Sequence, residues 1–178
     1  MDWFYRINIG LLIVLGLTTA GMLVNHEMEA MGRPSTDQSK SAALKKKYED
    51  QLAKNAWIYK EVLTLEKKGE VDEAINRIKK IMKSRPEDAY SLVLLGRLYY
   101  KQGHLAQAVH SYRKAIQKDP DYVDKNTPLF IGDEIMKLIS SARGKLNREK
   151  KLKPNDMQIR TAINDIYYLQ RRIAGGCE

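Results

Sequence analysis

The order of apolar and polar residues divides the chain into a mainly apolar beginning and a long amphipathic remainder. Residues 9–24 read IGLLIVLGLTTAGMLV and contain no charged side chain. From residue 41 onward, apolar residues recur three or four positions apart, as in Leu92, Leu95 and Leu98. Because this spacing places side chains on one face of a helix, we predict an all-α protein with a transmembrane helix at its N-terminus.

The first 25 residues are predicted to form an uncleaved transmembrane anchor (1–25). About 20 mostly apolar residues are needed to cross a bilayer, and the run from Trp3 to Val24 reaches that length. Interfacial aromatic residues and a small-residue pair support this interpretation: Trp3, Tyr5, Gly16 and Ala20. A cleaved signal peptide and a buried soluble helix are the alternatives.

Residues 26–40 contain Gly, Pro, Ser and Thr without apolar periodicity, so we predict a linker there. The positive charges on the two sides of the apolar run nearly balance, and Glu27 and Glu29 flank its exit. We expect a single-pass protein of the bacterial inner membrane whose remaining chain, 41–178, faces the periplasm.

The middle of the chain repeats itself at an offset of 34 residues, without a gap, over 55–88 and 89–122. Each unit has a glycine between two amphipathic runs, a small residue in its second run and a proline near its end. These pairs are Gly69 and Gly103, Ala74 and Ala108, and Pro86 and Pro120. A glycine supplies the positive φ with which a helix often ends, and a proline cannot continue the helix before it, so it marks the start of the next unit. Each unit is therefore predicted to be a helical pair.

Residues 89–122 resemble the tetratricopeptide repeat (TPR). The matching positions are Leu95, Gly96, Tyr99, Gly103, Ala108, Tyr112, Ala115 and Pro120. Residues 55–88 match less well, because Val62, Ile78 and Ile81 replace the glycine, the aromatic residue and the second small residue. The resemblance implies a short α-solenoid in which neighbouring helices cover the apolar faces of the two units.

Helices on both sides of the repeats are predicted to act as caps. Residues 41–54 have apolar residues at helical spacing, continuous with the helix through Trp57. Residues 123–174 are predicted to form a capping helical pair, with a charged turn at 147–153. In this pair Ala142 and Pro154 keep the phase of Ala108 and Pro120.

The TPR resemblance also implies a groove lined by the first helix of each pair. Repeat positions place in it Tyr59, Leu63, Lys67, Tyr90, Val93, Arg97, Tyr100 and Lys101. Arg97 and Lys101, one helical turn apart, would suit an acidic segment of a protein partner. A chaperone's acidic tail is disfavoured, because Lys60, Leu63, Leu94 and Arg97 replace the asparagines that such a clamp uses.

The net charge of +9 is spread over the chain after residue 40, which is typical of solvated helix faces. One denser basic run contains Arg143, Lys145, Arg148, Lys150, Lys151 and Lys153. It could contact anionic headgroups, or it could be a solvated turn between helices. Because it lacks interleaved aromatic residues, we do not expect nucleic-acid binding.

We find no pattern of a catalytic, metal or cofactor site. The three histidines lie apart, and Cys177 is the only cysteine. Neither a phosphate-binding loop nor a paired-histidine metal motif is present. We therefore expect a non-enzymatic, membrane-tethered scaffold that recruits a protein partner, in assembly or maturation of a membrane or envelope complex. The alternative is a structural accessory subunit of a multi-subunit membrane complex.

Overall fold

The computed structural model describes residues 36–175. The chain divides into two units, 1–47 and 48–178, and only 36–47 of the first unit is described. The predicted anchor, with Trp3, Tyr5, Gly16 and Ala20, lies outside the described residues. Within the range 36–175, no helix combines the length and the apolar character that crossing a bilayer requires.

Seven α-helices and one 3-10 turn make up the described chain, which contains no strand. They are α1 (Thr36–Ile58), α2 (Lys60–Lys68), α3 (Val71–Ser84), α4 (Ala89–Lys101), α5 (Leu105–Lys118), the 3-10 turn (Pro120–Val123), α6 (Gly132–Leu152) and α7 (Met157–Ile173). The predicted all-α fold is thus confirmed for this part of the chain.

Helix α1 is continuous over 23 residues and leads directly into the first helical pair. Its continuity through Trp57 confirms the helix predicted there. Residues 36–40, which the sequence assigns to the linker, belong to α1 instead. Serine, threonine and lysine have lower helix propensities than alanine by less than about 1 kcal/mol each, so an established helix extends through them.

The two repeated units fold as the helical pairs α2–α3 and α4–α5, which meet at the predicted glycines. Gly69 and Gly103 have φ angles of 80° and 77°, a region that side-chain-bearing residues rarely adopt. Ala74 and Ala108, at the same repeat position in α3 and α5, are fully buried. The glycine and alanine positions therefore have the roles that the 34-residue period predicts.

The two pairs fill the space between their first and second helices with different residues. In the second pair, a Cβ built on Gly96 would lie 2.8 Å from two carbons of the buried Tyr112 ring. The ring therefore fills the space that the missing side chain leaves. In the first pair, Val62 and Ile78 occupy the equivalent positions and are buried in one cluster. A larger residue on the first helix is accompanied by a smaller one on the second.

The third pair, α6–α7, departs from the repeat. The predicted charged turn at 147–153 is wrong for most of its length, because α6 continues to Leu152. Arginine, glutamate and lysine are good helix formers, so α6 continues beyond its last buried residue. Ala142 keeps the 34-residue spacing from Ala108, but it lies in the first helix of its pair and Ala108 lies in the second. The 3-10 turn and the loop before Gly132 shift the register.

Two clusters of apolar side chains form the core. One lies between α2, α3 and α4, and the other extends from α4 through α5, α6 and α7. Helix α4 contributes to both, for example through Leu94 to the first and Val93 to the second. Consequently all residues from 91 to 96 are buried, and α4 has only a narrow face left for surface chemistry.

Candidate partner-binding surface

Six of the eight residues predicted to line the groove have solvent-accessible side chains. They form what we call the first-helix surface: Leu63, Lys67, Tyr90, Arg97, Tyr100 and Lys101. Lys67 and Lys101 are exposed, and the other four are half-buried. The two lysines occupy the same repeat position on α2 and α4, which gives this surface a basic edge.

The remaining two predicted residues, Tyr59 and Val93, are fully buried and belong to the core. They share one repeat position, 34 residues apart, which faces the neighbouring helices. The Tyr59 hydroxyl donates to Asp88 Oδ2 at 2.9 Å and also hydrogen-bonds Ser91. Burial raises the pKa of Tyr59 above its usual value. Tyr59 therefore joins α1 and α2 to the start of α4 and has no surface to offer a partner.

Tyr59 also supports one residue of the first-helix surface. Its ring lies edge-on to that of Tyr90, with 5.2 Å between the centroids. Such edge-to-face pairs contribute about 0.5–1.5 kcal/mol beyond their buried area. Tyr90 is thereby held in place, and its half-buried ring presents a fixed contact area.

Arg97 is bound on α4 by a carboxylate from the third pair. Its Nε and Nη2 donate to the two oxygens of Glu134, at 2.8 and 2.9 Å. The Tyr112 hydroxyl donates to the same carboxylate. This two-point contact fixes the plane of the guanidinium group and connects α4, α5 and α6.

A second carboxylate reaches the same place from the first pair. Glu66 of α2 binds Lys101 Nζ at 2.8 Å and lies 3.8 Å from Arg97 Nη1. The Glu66 side chain is only 9% exposed, so its charge has little other solvation. Glu66, Arg97, Lys101 and Glu134 together form the Arg97 cluster, in which two cations face two anions.

Glu134 and Arg97 stay ionised at neutral pH. Burial raises the pKa of Glu134, but hydrogen bonds from Arg97 and Tyr112 outweigh it and hold that pKa below its usual value. The hydrogen bond with Glu134 in turn raises the pKa of Arg97. Burial, followed by the charge of Glu134, raises the pKa of Tyr112, which therefore remains a donor. The predicted basic pair is thus neutralised within the chain.

The carboxylates Glu66 and Glu134 were missed by sequence reasoning. They lie 31 and 37 residues from Arg97, and neither separation matches the 34-residue period. Glu134 is in addition displaced by the register shift before α6. The sequence offers one signal for them: Glu66 and Glu134 are two repeat periods apart, at a position that Tyr100 occupies in the unit between them.

A separate polar contact joins α5 to α7. Asp165 is 1% exposed and accepts hydrogen bonds from His110 Nδ1 and Arg113 Nη1, both at 2.9 Å. Arg113 also lies over the ring of Tyr168, 5.4 Å from its centroid. The contact satisfies a buried carboxylate and fixes the last helix of the chain, so we assign it a structural role.

Residues 89–122 match the model of the tetratricopeptide repeat family. The matched range is the α4–α5 pair, which carries Tyr90, Arg97, Tyr100 and Lys101. The TPR match supports the resemblance drawn from the sequence and indicates a protein–protein interaction scaffold. No curated protein matches the chain with significant similarity.

The described residues contain no group of three or more His, Cys, Asp and Glu placed to hold a metal ion. The side chains that the TPR pair presents are instead tyrosines and cations. Tyrosine provides a large, rigid and amphipathic contact area at low entropic cost, and it is enriched at protein interfaces.

Proposed function

We propose that the chain is a membrane-tethered TPR scaffold that holds a protein partner on its first-helix surface, in assembly or maturation of a membrane or envelope complex. The TPR match at 89–122 supports the scaffold part of this proposal. The uncharged run at residues 9–24 supports the tether. The proposed role uses binding alone and requires no catalysis.

The single observation that carries the binding proposal is the alignment of Lys67 and Lys101. They occupy one repeat position on neighbouring first helices and are both exposed, and packed helices lie about 8–10 Å apart. An acidic segment of the partner that crosses the two helices would therefore meet both ammonium groups. Tyr90 and Tyr100 provide flat contact surface beside them.

The Arg97 cluster limits which cations an acidic segment of the partner can bind. Arg97 makes two hydrogen bonds to Glu134, so a partner carboxylate would have to displace a bound one. Lys101 has a side chain that is 45% exposed and can accept a second carboxylate beside Glu66. We therefore assign partner contact to the lysines and tyrosines, and we assign Arg97 the role of holding three helices together.

Site-specific photo-crosslinking of the full-length chain in its own cells tests the binding surface. A photoreactive amino acid at Tyr100 should give a discrete adduct, whereas the same group at Lys79, on the exposed face of α3, should give none. The double change Lys67→Glu/Lys101→Glu should abolish the adduct. Lys79→Glu/Lys83→Glu, which makes the same charge change on α3, should preserve it. An adduct that survives at Tyr100 in the first variant would refute the assignment.

Alkaline extraction of membranes tests the tether separately. The wild-type chain should stay in the membrane pellet after carbonate treatment. Leu15→Lys/Leu17→Lys should move it to the supernatant, because each lysine costs about 2.5–3.5 kcal/mol at the centre of a membrane helix. Release of the wild-type chain by carbonate would disprove the anchor while leaving the crosslinking result unaffected.

A further inference from the structure

The far end of the α6–α7 pair has a composition different from the rest of the surface. We call residues 143–157 the basic hairpin. It contains six cations, Arg143, Lys145, Arg148, Lys150, Lys151 and Lys153, and two carboxylates, Glu149 and Asp156. All six cationic residues are exposed, and within residues 36–175 none of them lies within ion-pairing distance of a carboxylate. Their charge is therefore free to act on a partner.

The basic hairpin extends beyond the core. Leu146 is the last buried residue of α6, and it lines a cleft with Gly103 and Leu105 at the turn between α4 and α5. Residues 147–152 continue the helix and are all exposed. At 1.5 Å per residue, this extension is about 9 Å long. The charged end of α6 therefore extends past its last buried residue because α6 is 21 residues long, against 13 for α4.

Two large apolar side chains lie in the basic hairpin without cover. Leu152 is 82% exposed and Met157 is 70% exposed. By helical spacing, Lys145, Arg148 and Leu152 lie on one face of α6. An aliphatic side chain beside lysines and arginines, at a protruding tip, suits insertion between lipid headgroups.

We propose that the basic hairpin binds the surface of an anionic lipid bilayer, with its cations on the headgroups and Leu152 in the interface. Basic residues near an anionic membrane attract it independently of one another, whereas an acidic protein would need matched positions. A nucleic acid fits less well, because the hairpin has no aromatic side chain on which bases could stack. This surface is distinct from the first-helix surface, and the proposal does not depend on the function proposed above.

A fluorescent reporter placed in the turn tests this proposal. The chain with Cys177→Ser and Asn155→Cys is labelled at residue 155 with an environment-sensitive dye, which leaves every hairpin cation and Leu152 in place. The full-length protein is incubated with vesicles of phosphatidylcholine alone or of phosphatidylcholine with phosphatidylglycerol. We expect the dye emission to move to shorter wavelength only with phosphatidylglycerol, and high salt to reverse that shift.

Matched variants separate the hairpin charge from the charge of the whole chain. Arg148→Glu/Lys150→Glu/Lys151→Glu should abolish the emission shift, and glutamate preserves helix propensity in the process. Lys79→Glu/Lys80→Glu/Lys83→Glu changes the net charge equally on the exposed face of α3 and should leave the shift intact. Leu152→Ser should reduce it.

Three results would overturn the proposal. The first is the same emission in both kinds of vesicle, and the second is equal loss of the shift in both triple variants. The third is a DNA duplex that produces the emission shift and blocks the effect of the vesicles, which would assign the hairpin to nucleic acid. Circular dichroism of each variant establishes that a lost shift does not reflect lost helix.

Discussion

Replacing Gly96 by alanine tests the packing difference between the two repeated units. The new methyl group would lie 2.8 Å from Cδ2 and Cε2 of Tyr112 and 3.0 Å from its Cγ. The ring cannot tilt away easily, because it is fully buried and its hydroxyl is bound to Glu134. Gly96→Ala should therefore lower the free energy of unfolding although alanine is the better helix former.

The expected size follows from two opposing effects. Overpacking a filled core costs about 1–3 kcal/mol, and replacing glycine by alanine inside a helix returns about 1 kcal/mol. From these two effects we expect a net loss of up to about 2 kcal/mol. Gly144→Ala is the matched control: it lies in helix α6, where an added Cβ would meet no atom within 4 Å. That change should raise stability by about 0.5–1 kcal/mol.

Urea unfolding of the full-length chain, followed by circular dichroism, measures both changes. Gly96→Ala is then combined with Tyr112→Ile, which introduces the isoleucine found at the equivalent position of the first unit, Ile78. In that background Gly96→Ala should be neutral or stabilising, giving a coupling energy of about 1–3 kcal/mol between the two sites. An equal penalty with tyrosine and with isoleucine at residue 112 would refute the reasoning, since the ring would then not be the obstacle.

Two further changes address the carboxylates of Glu134 and Asp165. Glu134→Gln should lower the free energy of unfolding by about 1–3 kcal/mol at pH 7. Because the folded-state pKa of Glu134 is below its unfolded value, this difference should be fully present above the unfolded pKa and disappear as pH falls through the folded one. Asp133→Asn, beside it and exposed, serves as the control. Asp165→Asn should cost about 1–3 kcal/mol in urea unfolding, because Arg113 loses a buried anionic acceptor. Asn164→Ala should cost less than half as much, and equal costs would show that Asp165 has no special role.

The helices of the repeat could be predicted because their signals are local. A glycine with φ of 80° or 77° and a small residue on the second helix are properties of single positions, so a fixed period is enough to find them. The pattern does not predict the continuation of α6 to Leu152, because a charged run without apolar residues is also typical of a turn. The high helix propensity of these charged residues keeps them in the helix instead.

The candidate site was only partly predictable, because it depends on contacts between distant residues. Repeat positions placed six residues on the first-helix surface, but they also placed Tyr59 and Val93 there, which are buried. The sequence contained the cations Arg97 and Lys101 without indicating which acids would meet them. Glu66 and Glu134 come from the neighbouring pairs, and the register shift before α6 positions one of them.

Helix α1 makes contacts that reach across both repeated units. Tyr48 donates to Asp121 at 3.1 Å and Gln51 to Asp119 at 3.4 Å, over separations of 73 and 68 residues. In an ideal repeat array each unit touches only its neighbours, so the ends can unravel independently. Here α1 is hydrogen-bonded to the end of the second unit. Loss of α1 would therefore also weaken the end of the second unit, and the two repeated units should unfold together.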